Sequence, residues 1–285
     1  MDGIEKAIQE AMAAQNNRKV PDFEGYSPAE MHYLLHDSFH KESPLTLKSA
    51  KPQHFMKVPI FNLVGHLMEH LENQGGIKLT QKGHLPVRLV ADLYAQGFYE
   101  EEDITSGITK LYKEEDAMSI TLARLLPELA GWTKKRKGRL SLTSRGKRAL
   151  HDDRERFETL FKVFGTAFNW AYFDRYESEE IGQFGLGFSL LLLCKYGNEK
   201  RSTTFYAEKY FKAFPQLLQD LQEPWFTDLH SQVASCYALR LFSRFLSYFG
   251  VISLEKEGKG FNAPLFVKKT PLFDTFFHLS PHRSL

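Results

Sequence analysis

The stretch over residues 113–150 constrains the fold more than any other part of the chain. It reads KEEDAMSITLARLLPELAGWTKKRKGRLSLTSRGKRAL. Apolar residues at helical spacing predict an amphipathic helix over residues 117–130, with Asp116 as its N-cap. Short strand patterns on either side of Gly138 predict a β-hairpin, and Thr143 is placed to cap another helix. Helix, hairpin and helix in this order predict a domain that mixes α and β structure.

The residues before this stretch are predicted to form two further helices and a short strand. Apolar spacing predicts a helix over residues 58–71, followed by a short strand over residues 77–80. Thr80 is placed to cap a further helix, with Pro86 in its first turn. A weaker segment over residues 104–112 then leads to the amphipathic helix. The predicted order is therefore helix, strand, helix, helix and two-stranded hairpin.

A five-residue pattern, L-T-x-[KR]-G, occurs at residues 79–83 and again at residues 142–146. At each place it reads as a strand whose last threonine caps a helix. The pattern resembles the wing-to-helix exit of winged-helix regulators of the MarR kind, and the order of elements over residues 58–150 resembles a winged-helix domain. These segments also resemble those of a family of uncharacterised bacterial proteins. The resemblance implies a winged-helix fold with residues 117–130 as recognition helix and residues 132–143 as wing.

Composition divides the chain into three consecutive parts. Residues 1–54 are predicted to form an N-terminal helical segment and loop, and residues 55–150 the winged-helix domain. Nineteen of the 24 phenylalanines come later, which predicts a separate aromatic core for residues 151–285. Within that part, strand patterns predict a second, wing-like hairpin over residues 251–267, before a closing helix. The predicted fold class is α+β and mostly helical, a winged-helix domain followed by a helical domain that ends in this hairpin.

The composition also bounds the classes of function. The 285 residues carry a net charge of +2, so binding to a polyanion must depend on local clusters of charge. Cys194 and Cys236 lack the spacing of metal or redox motifs and fit reduced thiols in a cytosol. The N-terminus lacks the pattern of a secretory signal, and the most apolar run, residues 184–193, is half the roughly 20 residues that span a bilayer. We expect a cytoplasmic protein without a membrane segment, and the oligomeric state stays open.

The predicted wing concentrates positive charge. Its cations, called here the wing cations, are Lys134, Lys135, Arg136, Lys137 and Arg139. Cations crowded at a turn repel one another unless solvent or a polyanion screens them, so the phosphate backbone of a nucleic acid is a natural partner. The alternative is a solvated hairpin that its lysines keep soluble.

The predicted recognition helix gives a weaker signal. Its inward positions are Ile120, Leu122, Leu125, Leu126 and Leu129. Ser119, Thr121 and Arg124 are predicted to face outward, where the hydroxyls would contact phosphates and Arg124 a guanine edge. Glu128 would repel the backbone, and Pro127 is predicted to kink the last turn. This sparse face suits a non-specific binder, or a winged helix used against protein, as well as a reader of one DNA sequence.

Histidines supply the candidate metal ligands. His66, Glu69 and His70 match H-x-x-E-H, a pattern in which two histidines hold zinc and the glutamate activates water. The sequence marks no third ligand, and a polar helix face is the alternative interpretation. Three more histidines at helical spacing are His32, His36 and His40. Their helix is predicted to weaken before the third of them, so that two would align.

These observations favour a non-enzymatic winged-helix protein that binds nucleic acid through its basic wing. The alternative is a winged-helix scaffold for a protein partner, without nucleic-acid binding. A zinc-dependent hydrolase that uses His66, Glu69 and His70 is a third interpretation. No other catalytic or cofactor-binding motif occurs, so no cofactor is predicted.

Overall fold

The computed structural model of the protein describes residues 2–219, 221–225, 227–258 and 263–283. They form a mostly helical α+β structure with three small sheets, which confirms the predicted fold class at this level. The chain divides into two compact units. The first unit comprises Met1–Lys48, Trp170–Arg244 and Ile252–Leu285, and the second comprises Ser49–Asn169 and Phe245–Val251. No helix in the described ranges has the length and apolar character needed to cross a membrane.

The first 48 residues contribute two helices and one strand to the first unit. These are α1 (Asp2–Asn17), α2 (Pro28–His36) and β1 (Leu45–Leu47). α2 begins at a capping box, because the Ser27 side chain accepts a hydrogen bond from the Glu30 N–H (3.3 Å) while the Glu30 carboxylate accepts one from the Ser27 N–H (2.8 Å).

The second unit begins with the elements that lead to the hairpin. They are α3 (Pro52–Phe55), α4 (Pro59–Asn73), β2 (Ile77–Lys78), α5 (Val87–Tyr94), α6 (Glu102–Thr105), α7 (Met118–Leu129), β3 (Thr133–Arg136), β4 (Arg139–Leu142) and α8 (Ser144–Leu150). α4 packs against α7 and buries Leu63, Leu67 and Leu71, which share one face of the helix. From α4 to β4 the order of helices and strands agrees with the predicted one except for the short α6, which ends at Thr105 within the weaker predicted segment.

A three-stranded antiparallel sheet completes this arrangement. Its strand order is β2-β4-β3, so the strand that follows α4 pairs with the second strand of the hairpin. Leu140 and Leu142 are buried two residues apart and therefore point to the same, core-facing side. Thr143 then caps α8 as predicted, because its hydroxyl accepts a hydrogen bond from the Gly146 N–H at 3.0 Å.

Two predicted helix caps are wrong. The Thr80 hydroxyl accepts a hydrogen bond from the His84 N–H (3.1 Å) within a turn, and α5 begins further along the chain. The Asp116 carboxylate accepts hydrogen bonds from the N–H groups of Tyr112 and Lys113 in the turn before α7. Both side chains are engaged by a local turn, since short polar side chains compete for nearby backbone N–H groups.

The aromatic core of the second unit extends beyond residue 150. α9 (Asp153–Lys162) continues into a π-helical segment, Val163–Ala167. The Phe161 ring packs against the rings of Phe245 and Phe249, with centroids 5.0 Å and 4.9 Å apart. A late segment of the chain therefore belongs to the second unit.

The remaining elements of the first unit repeat the layout of the second. They are α10 (Leu186–Tyr196), β5 (Arg201–Ser202), α11 (Thr203–Ala213), α12 (Leu229–Tyr237), β6 (Ile252–Lys256), β7 (Leu265–Lys269), α13 (Pro271–Phe276) and β8 (Phe277–Leu279). Their three-stranded sheet has the order β5-β7-β6, which matches β2-β4-β3 strand for strand. The predicted second hairpin is present as β6 and β7, while residues 259–262 of its turn lie outside the described residues.

The two units differ from the three consecutive parts predicted from composition, residues 1–54, 55–150 and 151–285. Pairing between distant segments is the physical reason. β1 pairs with β8, so that Leu45 lies opposite Leu279 and the N-terminal segment joins the C-terminal end within the first unit. Composition along the chain does not reveal contacts of this kind.

Candidate nucleic-acid interface

The hairpin of β3 and β4 turns through a two-residue loop. Lys137 and Gly138 have φ angles of 49° and 69°, both in the left-handed region, as a type I′ turn requires. Thr133–Arg136 and Arg139–Leu142 pair in register on either side, so the ribbon predicted within residues 132–143 is confirmed. A lysine is unusual at the first loop position, because the left-handed conformation costs an L residue other than Asn or Asp about 1–2 kcal/mol.

Three cations form a row across one face of this sheet. In the register of the strands, Lys78 lies opposite Arg139, and Arg139 lies opposite Arg136. Residues in register project from the same face, on strands that are roughly 4.8 Å apart. Lys134 extends this face by one more position along β3, and all four residues are exposed. Lys78, Arg139 and Arg136 are called here the cation row.

Two of the wing cations also contact the loops beside the hairpin. Arg139 Nη2 donates a hydrogen bond to the Gly76 carbonyl oxygen (2.8 Å). Lys135 Nζ lies against Gly83, in space that a side chain at that position would fill. These contacts restrict the two side chains without neutralising them, because neither glycine carries a net charge.

The wing cations take no part in the ion pairs found among the described residues. In the ranges that the structure describes, the ion pairs of the second unit involve other cations, and none of the five wing cations pairs with Asp or Glu. The first unit is different, since Lys195 and Lys209 both pair with Glu24, and Lys200 pairs with Glu255. The hairpin therefore carries positive charge that the described protein does not offset.

The outward face predicted for α7 is covered. Ser119 and Thr121 are 1% and 7% exposed, and the side chain of Arg124 is 11% exposed. The Ser119 N–H donates a hydrogen bond to the Glu101 carboxylate (2.7 Å), and the Thr121 hydroxyl donates one to the Glu114 carbonyl oxygen (3.0 Å). The prediction that these three side chains face outward is wrong.

An acidic segment before α7 covers that face. Glu114 is buried, and its carboxylate accepts hydrogen bonds from Arg124 Nε (2.7 Å) and from the Leu85 N–H (2.6 Å). Arg124 also lies 3.6 Å from Glu128, so its charge is offset from two sides. Sequence analysis missed Glu101 and Glu114, although the acidic runs before α7 were an available signal.

One further position on α7 departs from the prediction. Leu129, expected to face inward, is 48% exposed, while Ile120, Leu122 and Leu126 are buried as expected. Leu129 is the last residue of α7, where the chain leaves the helix for the hairpin. Pro127 and Ala130 on either side of it are buried, so Leu129 alone departs from the core near the end of α7.

The H-x-x-E-H residues lie on α4. His66 and His70 are half-buried, Glu69 is exposed, and the His66 ring contacts Phe98 with centroids 6.1 Å apart. Among the described residues, no group of three or more His, Cys, Asp or Glu side chains is placed to hold a metal ion.

The other three histidines lie at the end of α2. His32 and His36 are on the helix, with ring centroids 4.7 Å apart. His40 lies beyond the helix and stacks on Tyr33, with centroids 4.8 Å apart. The expectation that only two of the three align is confirmed.

The two cysteines are protonated thiols at neutral pH. Burial raises the pKa of Cys194 to about 12 and the pKa of Cys236 to about 12. Because the thiolate is the reactive form, neither side chain has the character of a catalytic nucleophile.

Comparison with known families adds one result for this region. The sequence model of a family described as the Y4jL N-terminal domain matches residues 56–156. The matched range begins just before α4 and ends within α9, so it includes the whole three-stranded sheet and its hairpin. No curated protein and no solved structure matches the chain.

Proposed function

We propose that this protein is a non-enzymatic nucleic-acid-binding protein of the cytoplasm, built on a winged-helix domain whose wing contacts the phosphate backbone. The single observation that carries the proposal is the cation row, Lys78, Arg139 and Arg136, none of which forms an ion pair with a carboxylate of the described residues. Like charges directly opposite one another destabilise a sheet. A partner that brings several phosphates together offsets this repulsion at all three positions at once.

The strained backbone at Lys137 supports the same proposal. Its positive φ places a lysine where Asn, Asp or Gly would be more stable. Strain retained at an exposed loop points to a functional use of the side chain, and here the side chain contributes charge at the tip of the hairpin. The proposal therefore assigns Lys137 a phosphate contact.

Lys137→Asn is expected to stabilise the protein and to weaken its binding to a DNA duplex. Asn tolerates the left-handed conformation, so the free energy of unfolding should rise by up to about 1 kcal/mol. Loss of one phosphate contact should lower the slope of log affinity against log salt by about 0.9. Thermal unfolding and fluorescence anisotropy measure the two effects.

Lys137→Gln is the matched control, since it removes the charge but keeps a side chain that strains the turn. It should weaken binding as much as Lys137→Asn does, without raising the unfolding temperature. Duplex affinity that is unchanged in both variants would contradict the assignment of Lys137.

Salt dependence tests the proposal as a whole. If Lys134, Lys137 and the three residues of the cation row each neutralise one phosphate, the slope of log affinity against log salt should be about −4.5. Affinity should then fall roughly 500-fold between about 50 mM and about 200 mM salt. Anisotropy of a labelled duplex measures this slope.

The covered face of α7 removes the helix contacts of a groove-reading protein, which keeps open the alternative function, a scaffold for a protein partner. Ser119, Thr121 and Arg124 are engaged within the protein rather than exposed to a groove. The absence of duplex binding at about 50 mM salt would reject the nucleic-acid proposal and leave the scaffold.

A further inference from the structure

We infer that the wing binds double-stranded nucleic acid through its backbone alone, without preference for a base sequence. This inference depends on the proposed function and specifies its substrate class. It is argued from three features of the second unit: the covered face of α7, the placement of aromatic side chains and the geometry of the cation row.

Base reading requires side chains that reach the edges of the bases in a groove. The three residues of α7 with suitable chemistry are Ser119, Thr121 and Arg124. The Ser119 side chain is buried, the Thr121 hydroxyl donates to the Glu114 carbonyl oxygen, and Arg124 is held by the buried Glu114 carboxylate at 2.7 Å. Because these side chains are buried or paired within the protein, α7 in this conformation does not read sequence.

Single strands are bound mainly by stacking of their bases on exposed aromatic rings. Around the hairpin, residues 75–93 and 130–156 contain a single Phe, Tyr or Trp, which is Trp132. Trp132 is 0% exposed. The hairpin and the segments next to it in the chain therefore provide charge without a stacking platform.

The cation row matches a rigid polyanion. Three neighbouring strands place its charges across roughly 10 Å, at the interstrand spacing of a sheet. Over that length a duplex presents roughly six phosphates, already held in place, whereas a single strand presents about half as many. A flexible strand must also lose conformational entropy on binding, which a preorganised duplex does not. We therefore expect the cation row to contact the phosphate backbone of a duplex rather than that of a single strand.

Three probes of equal length test the inference with the full chain. Two are labelled duplexes of about 25 base pairs with the same composition in scrambled order, and the third is one of their single strands. The two duplexes should bind with Kd values within threefold of each other, and the single strand should bind at least tenfold more weakly. Lys78→Ala removes an exposed side chain of the cation row and should lower the affinity for both duplexes by the same factor.

The outcomes separate this inference from the function on which it depends. A single strand that binds within tenfold of the duplexes, or duplexes that differ by more than threefold, would overturn the inference while nucleic-acid binding stands. An unequal effect of Lys78→Ala on the two duplexes would overturn it as well. The failure of all three probes to bind would reject the proposed function itself.

Discussion

Alanine at all five wing cations is expected to abolish binding to a DNA duplex at near-physiological salt. The changes are Lys134→Ala, Lys135→Ala, Arg136→Ala, Lys137→Ala and Arg139→Ala. Four of these residues lie on the face of the cation row or at the tip of the hairpin, whereas Lys135 lies in register with the buried Leu140. Loss of the four phosphate contacts should lower the slope of log affinity against log salt by about 3.6, which at this ionic strength corresponds to a loss of affinity of 100-fold or more. Anisotropy titrations at several salt concentrations measure both the affinity and the slope.

A matched variant separates the position of the charge from its amount. Five other exposed cations of the second unit are Lys51, Lys57, Lys110, Arg154 and Lys162. Their joint replacement by alanine changes the net charge by the same amount but leaves the hairpin intact. The affinity for the duplex should therefore stay within about threefold of that of the unmodified protein, because salt screens the long-range effect of distant charges. Equal losses in the two variants would contradict a binding surface on the wing.

Arg139 needs separate treatment because it also donates a hydrogen bond to the Gly76 carbonyl oxygen. A variant that keeps Arg139 and replaces the other four cations preserves this contact. It should unfold at the temperature of the unmodified protein or slightly above it, because the repulsion between Arg136 and Arg139 is gone, and still lose most of its affinity. Retention of duplex binding in this folded variant would reject the assignment of the other four cations.

Local sequence signals were sufficient to predict the hairpin. Gly138 marks the turn, the alternation around Leu140 and Leu142 gives the strands, and Thr143 gives the next helix cap. Each signal depends on a side chain and its immediate neighbours in the chain, which is where propensity and capping operate. The five wing cations could therefore be placed on one exposed ribbon before any coordinates.

The two glycines of the repeated L-T-x-[KR]-G pattern illustrate what a motif leaves undetermined. Gly83 has a φ of 82°, so a turn requires it. Gly146 lies in α8 against the carbonyl oxygen of Trp132, where a Cβ atom would clash with the backbone. Glycine at this position of the pattern is therefore required by a backbone conformation at residue 83 and by close packing at residue 146.

The face of α7 could not be predicted because its partners are distant in sequence. Helical spacing sorts apolar from polar positions, and it places Thr121 and Arg124 outside the apolar stripe. Whether a polar position meets water depends on what other segments cover it. Here Glu101 and Glu114, carried by an irregular segment, supply that cover. Spacing along one helix contains no information about a second segment packed on it.

Asp174→Ala is expected to destabilise the first unit by about 3–5 kcal/mol, because it leaves a buried guanidinium without its counterion. The Asp174 carboxylate accepts hydrogen bonds from Arg240 Nε and Nη2, both at 2.8 Å. The two side chains are 4% and 0% exposed, so water does not replace the lost partner. Urea unfolding followed by circular dichroism measures the shift in the transition. Glu158→Ala is the control, because it breaks an exposed ion pair in which the side chains of Arg154 and Glu158 are 59% and 41% exposed. It should lower the free energy of unfolding by at most about 1 kcal/mol.

A second substitution decides whether the unpaired charge is the cause. Arg240 Nη1 also donates hydrogen bonds to the carbonyl oxygens of Ser178 (2.8 Å) and Ile181 (3.1 Å), so part of its contribution is independent of Asp174. If the cost of Asp174→Ala is mainly an uncompensated charge, adding Arg240→Met should restore part of the lost stability, since the charge leaves together with its counterion. If instead the double variant loses as much stability as the two single variants together, the hydrogen bonds of Arg240 to the two carbonyl oxygens account for its stabilisation. The ion pair then contributes little beyond them.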